Sequence, residues 1–240
     1  MKTERQGIVP SEGLAHTSTL KPVATLTLFL AACCLAPADT YVSATISSST
    51  TWRTTGSPYH LTADVTICSG AALTVEPGVV VECGAYQLRV GYGWTSSGDQ
   101  AHLRALGVTF RGTGGAVLSE EHRSSSIALT NCVIAGWGTN TTYGVYQASG
   151  GDLVMEDCTV RGAQYPVGQS YGGDCRLMSC DFTGCANDAV AAGGNYYESA
   201  FWRNVGRPVR LTQDVTLRSG LTLTVEPGVV VECGAYQLRV

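Results

Sequence analysis

Four stretches in the middle of the chain share one alternation of apolar and polar residues. They are LRALGVTFRG (Leu103–Gly112), IALTNCVIAG (Ile127–Gly136), LVMEDCTVRG (Leu153–Gly162) and CRLMSCDFTG (Cys175–Gly184). Their starts lie 24, 26 and 22 residues apart. Each contains two runs of period 2, the period of a strand with one buried face, joined one residue out of phase. Leu103 and Ala105 point one way, and Val108 and Phe110 resume after a slip at Gly107. The slip recurs at Asn131, Asp157 and Ser179. Gly, Asn and Asp tolerate a left-handed backbone, so the slip predicts a two-residue corner that needs positive φ; serine at 179 fits least well.

A third short strand follows each closing glycine, at Ala116-Val117, Gly144-Val145, Pro166-Val167, Ala189-Val190 and Pro208-Val209. Three strands in about 22–26 residues leave no length for a helix. The predicted unit is one coil of parallel β-structure. A single coil cannot bury its own apolar face, whereas coils stacked about 4.8 Å apart close a continuous core.

A coarser repeat frames these coils. Residues 52–90 match residues 202–240 at 29 of 39 positions, and from Thr74 (TVEPGVVVECGAYQLRV) the match is unbroken. Within it Val65/Ile67, Leu73/Val75, Val79/Val81 and Leu88/Val90 alternate as strands, with Pro77-Gly78 marking a turn. The last residue of the chain is also the last of the repeat. That pattern is expected of a piece of a longer array, whose open final coil would fray or aggregate at Val240.

The run VATLTLFLAACCL (Val23–Leu35) is too short to span a bilayer, which needs about 20 apolar residues. Lys21 precedes it and small residues follow, so 1–38 reads as a signal peptide. Two cleavage sites stay open. Leu30-Ala31-Ala32-Cys33 is similar to a bacterial lipobox, with Cys33 the lipidated first residue, and Ala36-Pro37-Ala38 fits ordinary secretion. Residues 39–60 are Ser/Thr-rich without periodicity and read as a linker, which leaves 61–240 for the β-coils.

On the four aligned stretches and the module LTxDVTxxSGxxLTVEPGVVVECG, the chain resembles the right-handed parallel β-helix proteins, the fold of pectate lyases and many bacterial surface proteins. The resemblance covers roughly 61–240 and implies an all-β solenoid, exported to the cell surface or medium. Because that fold hosts diverse activities, two functions follow from it. One is a surface scaffold or adhesin with polysaccharide-facing loops. The other is a polysaccharide lyase or glycoside hydrolase whose active site is incomplete in this sequence.

Eight cysteines follow the leader. Cys132, Cys158 and Cys180 share one inward position of successive coils, after Val108, and read as a stacked core ladder. Their parallel Cβ directions are expected to hold the sulfurs apart. A Cys175–Cys185 disulfide is the more plausible bridge. The spacing Cys175-x4-Cys180-x4-Cys185 is not that of a zinc module, so no metal site is assigned.

Charged residues make up only 14% of the chain, net charge is −4, and the only lysines are Lys2 and Lys21. The arginines are not clustered. This disfavours nucleic acid as a partner, and membrane contact is expected only through a lipid anchor. The sequence assigns no oligomeric state. A lyase would need an arginine or lysine base beside calcium held by carboxylates, and a hydrolase two carboxylates about 5–9.5 Å apart. The candidates are Asp174, Asp181, Asp188 and Arg161, with Arg161 and Asp181 placed to form a surface ion pair across coils. Calcium enters only under the lyase reading; otherwise no cofactor is implied. Trp94, Trp137, Tyr143, Tyr196 and Tyr197 sit in predicted loop or corner contexts, usually beside glycine, where exposed rings can stack on sugar faces. The loops expected to project are 91–100, 119–126 and 193–199.

Overall fold

The computed structural model describes residues 39–68, 70–91, 100–136 and 141–240. Among them the chain is a parallel β-solenoid of about 8 turns with three sheets. Among the described residues the only helical element is a 3-10 turn at Thr54–Gly56. Each middle coil places one strand in each sheet. A middle coil runs from His102–Leu106 in sheet C through Thr109–Gly112 in sheet A to Ala116–Glu120 in sheet B. Strand pairs are parallel throughout, and Ile127 lies opposite both Leu103 and Leu153.

The out-of-phase slips are the corners between sheets C and A. Gly107, Asn131, Asp157 and Ser179 all have positive φ, between 50° and 62°. The residue after each turns inward: Val108, Cys132 and Cys158 are buried, and Cys180 is half-buried. The corners also stack through their backbones. The Gly107 amide donates to the Thr130 carbonyl, Asn131 to Glu156 and Asp157 to Met178, at 2.9–3.0 Å. Pro77-Gly78 belongs to this column, since Gly78 has φ 85° and donates to the Gly107 carbonyl. Ser179 completes the set without a side chain that favours this conformation. The column therefore imposes the geometry, and the residue type lowers its strain.

Two expectations are corrected. Residues 39–60 are not a linker. Thr40–Val42 pairs with Tyr59–Leu61 in sheet A, and Thr50–Trp52 pairs with Ala72–Val75 in sheet C. Trp52 is buried and stacks on Tyr59 at 4.6 Å. Serines of this coil bond to the next one: Ser49 Oγ accepts the Ala72 amide and Ser57 Oγ accepts the Val80 amide. In sheet B, Leu118 rather than Val117 lies opposite Val145. Ser119 and Glu120 accordingly belong to a buried strand instead of a projecting loop.

The duplicated blocks adopt related but unequal structures. In the first, Tyr59–Leu61 joins sheet A and Val65–Ile67 joins sheet B. In the second, the corresponding residues fuse into one nine-residue strand, Val209–Leu217, all in sheet B. It follows the seven-residue strand Val190–Tyr196, with a register shift between Ala192 and Gly194. The surroundings of identical residues also differ. Leu88 and Val90 are fully buried beneath the coil that follows, whereas Leu238 and Val240 are exposed.

Corner chemistry sets stability in a testable way. Asn131→Val and Asp157→Val place a β-branched residue at positive φ and should each destabilise by about 1–3 kcal/mol in denaturant unfolding. Asn131→Gly should change stability by less than about 1 kcal/mol; equal stability of the valine variants would contradict the corner account.

Candidate functional site

Sheet B carries a groove where the middle coils meet the second duplicated block. Tyr143 and Tyr146 come from the strand Tyr143–Gln147, Gln169 ends the strand Tyr165–Gln169, and Ser170 and Tyr171 follow it. Gly193, Gly194, Thr212 and Gln213 close the far side at the register shift. The cavity measures about 240 Å³, and no charged residue lines it among the described residues. The groove is aromatic, hydroxylic and amidic.

Small residues make room for the rings. Gly168 lies opposite Tyr146 in register, and a Cβ on Gly168 would sit 2.5 Å from the Tyr143 ring. The Tyr143 ring lies over that glycine and stacks on Tyr146, with centroids 4.8 Å apart and planes 8° apart. Burial and the neighbouring Tyr146 raise the Tyr143 phenol above its ordinary range, against a hydrogen bond with Thr212. The Tyr146 hydroxyl and Ser170 Oγ are 2.8 Å apart. Tyr171 has φ 69°, a left-handed conformation in which a bulky residue is a genuine outlier. Its ring stacks on Tyr197 at 5.4 Å, and the Arg218 guanidinium lies 4.8 Å from the Tyr197 ring centre. Beyond Tyr197 a second hollow of about 170 Å³ is lined by His122, Arg123, Ser149, Tyr197 and Glu198. Arg123 and Glu198 pair across it at 3.1 Å.

Beneath the groove a buried polar column runs through the core. Glu120, Gln147 and Gln169 occupy the same register position in three successive strands of sheet B. Glu120 is completely buried. Its Oε1 accepts the His122 amide at 2.6 Å, and its Oε2 accepts the Gly151 amide at 3.1 Å and the Ser149 amide at 3.4 Å. Gln147 Nε2 donates to the Gly151 and Asp174 carbonyls, and Gln169 Nε2 donates to Gln147 Oε1 and the Gly173 carbonyl. The column thus ties the turns after sheet B to one another. Burial pushes the Glu120 carboxyl up to about 8; the three amides oppose that shift and neighbouring Glu121 adds to it. The residue types alone do not reveal this column, but their phase does. Glu120, Gln147 and Gln169 each stand two residues after an inward Leu118, Val145 or Val167.

The other sequence candidates do not converge. Tyr143 lines the groove and Tyr197 borders it, but Tyr196 is fully buried, edge-on to Trp202 at 6.5 Å, and offers no face to a ligand. Tyr196 is the buried last residue of the strand Val190–Tyr196, which runs into the loop expected at 193–199. Trp94, Trp137 and Cys33 lie outside the described residues, as does the leader 1–38. Burial raises the Asp174 carboxyl, but the guanidiniums of Arg203 and Arg176 outweigh it and hold the group below the usual range. Asp188 pairs with Arg207 at 2.5 Å. The exposed Asp181 accepts the Thr183 amide at 2.9 Å, which holds it below the ordinary carboxylate range. Arg161 lies opposite Gly184, and Asp181 opposite Thr159, because the register shifts between these strands. The expected Arg161–Asp181 ion pair is therefore absent among the described residues. No group of three or more His, Cys, Asp or Glu side chains among the described residues is arranged to hold a metal ion.

No protein-family model, curated protein or solved structure matches the chain. The fold and the groove therefore carry the functional reading themselves.

The buried carboxyl makes a signed prediction. A folded-state pKa raised above that of the unfolded chain means that Glu120 stabilises most below its unfolded pKa, and that this contribution is lost as pH rises through about 8. Glu120→Gln removes this titration. Relative to that variant, wild type should lose stability between pH 5 and pH 9, by on the order of a few kcal/mol. Parallel pH profiles of the two proteins in urea unfolding would contradict the assignment.

Proposed function

We propose that this protein is an exported β-solenoid scaffold that adheres to neutral polysaccharide through the sheet B groove. The observation that carries the reading is Tyr171. A tyrosine held at positive φ stores strain of order 1–3 kcal/mol, and this one lines a groove made of rings, hydroxyls and amides. Sugar faces stack on aromatic rings, and their hydroxyls exchange hydrogen bonds with side chains such as Ser170, Thr212 and Gln213. An uncharged lining offers nothing to the carboxylates of a uronate polymer, so the preferred ligand is a neutral glycan.

Export rests on the apolar run Val23–Leu35 and the small residues after it. The surface anchor, where the lipobox is used, is a lipid on Cys33; otherwise the protein is released after Ala38. Among the described residues no helix is long and apolar enough to cross a membrane.

The test is depletion of the full-length protein from solution onto insoluble glycans, with release of new reducing ends followed in the same tubes. Neutral glycans should deplete it without product, and 0.5 M salt should leave the binding intact, since no charge pair is involved. Tyr143→Ala should weaken binding roughly 3- to 10-fold, as expected for one stacking ring. Tyr171→Asn, which favours the left-handed backbone, should weaken binding while leaving the unfolding midpoint unchanged or raised. Salt-sensitive binding to uronate polymers, or release of reducing ends, would overturn the reading in favour of a lyase or hydrolase.

A further inference from the structure

The outer face of sheet C carries a row of four polar residues, one from each of four successive coils. Ser126 lies opposite both His102 and Asp152 in register, and Asp152 lies opposite Asp174. The backbone holds the row in place: the Ser126 amide donates to the Ala101 carbonyl and the Asp152 amide to the Ser125 carbonyl, each at 3.0 Å. On the opposite face of the same strands Leu103, Ile127 and Leu153 are fully buried, which pins the register.

Within the row His102 and Ser126 are bonded to each other. His102 Nδ1 and Ser126 Oγ are 2.8 Å apart, and both residues are half-buried. In the tautomer that carries its proton on Nε2, the imidazole accepts the serine hydroxyl, the contact a general base needs with the proton it removes. The charges beside the pair are unengaged. Among the described residues every arginine except Arg104 and Arg161 pairs with a carboxylate or, for Arg218, with a tyrosine ring. Arg104 is exposed, two residues from His102 on the same face, with the small Ala128 opposite it. That places it diagonal to Ser126, a span of roughly 7–8 Å that a long side chain covers. Asp152, exposed on the other side of Ser126, likewise has no side-chain partner among the described residues.

We propose that Ser126 and His102 form a nucleophile–base pair that hydrolyses esters of neutral acyl groups, an activity separate from the sheet B groove. As Ser126 Oγ attacks the ester carbonyl carbon, its proton passes to His102 Nδ1, and the Arg104 guanidinium faces the oxygen that becomes negative. The bond from that carbon to the alkoxy oxygen then breaks, the imidazolium returns the proton to the departing alkoxide, and an acyl-serine remains. Water next gives a proton to Nδ1, its oxygen attacks the acyl carbon, and Ser126 Oγ leaves and takes the proton back. One ester and one water become one acid and one alcohol. The Asp152 carboxylate beside the nucleophile repels anionic acyl groups, which restricts the substrate to neutral ones, of which acetyl is the simplest.

The test incubates the full-length protein with p-nitrophenyl acetate, quenches portions in acid and maps acetylated tryptic peptides by mass spectrometry, with nitrophenol release followed in parallel. Wild type should turn over the ester and carry an acetyl group on Ser126, within the peptide 124–161. Ser126→Ala should lose both signals, whereas Ser124→Ala, at an exposed serine of the same peptide, should keep both. His102→Gln should slow acetylation by about 10²–10⁴-fold, and Arg104→Gln by roughly 10-fold or more. Circular dichroism of each variant confirms folding. Absence of acetyl from Ser126 in wild type overturns the proposal. So does turnover that survives undiminished in Ser126→Ala, as from another histidine, or acetylation at an unchanged rate in His102→Gln.

Discussion

Each coil of this solenoid completes its hydrogen bonding only through the coils on either side. A strand of three to five residues has no independent stability, and its apolar face is closed only when the next coil covers it. The corner between sheets C and A makes this stacking repeatable. Gly107, Asn131 and Asp157 turn the chain at positive φ, and their amides bond to the following coil. Every inward residue, from Leu103 to Cys158, is placed by that column. The two duplicated blocks show the dependence directly: Leu88 and Leu238 share a sequence context, yet one is buried and the other exposed, because among the described residues only Leu88 has a coil stacked on it.

The groove follows from the same constraint. A parallel stack presents the same side-chain position at every coil, so one aromatic position becomes a row of rings and one glycine position becomes a trough. Tyr143 fills the trough over Gly168, while the register shift before Gly194 and the long strand Val209–Leu217 close its end. On the inward side the same repetition turns single polar residues into the column of Glu120, Gln147 and Gln169. That column fixes the turns that carry Ser170 and Tyr171. Binding surface and core are two faces of one set of strands.

The repeats make the fold legible in the amino-acid sequence, because period 2 broken at regular intervals has few other solutions. The corners are legible for a local reason: Gly, Asn and Asp are the residues that relieve a left-handed backbone. The first coil is not legible, since its threonines and serines leave no apolar alternation to read and some of them, such as Ser49 and Ser57, bond to the next coil through hydroxyls instead. The groove is half legible. Tyr143 stands out as an aromatic beside glycine, but Tyr146, Ser170 and Gln213 meet only through pairing across coils. Tyr196 misleads because its strand runs further than its glycines suggest, and Arg161 misses Asp181 because one extra residue shifts the register.

Hydrogen exchange measured with and without a saturating neutral oligosaccharide tests the central claim most directly. Slowed exchange is expected to be confined to residues 143–147, 168–171, 193–194 and 209–217, stretches distant in sequence and joined only by coil stacking. Protection that falls elsewhere, such as on the backbone amides around Asp174, Asp188 and Arg203, or an unchanged exchange pattern, would contradict it.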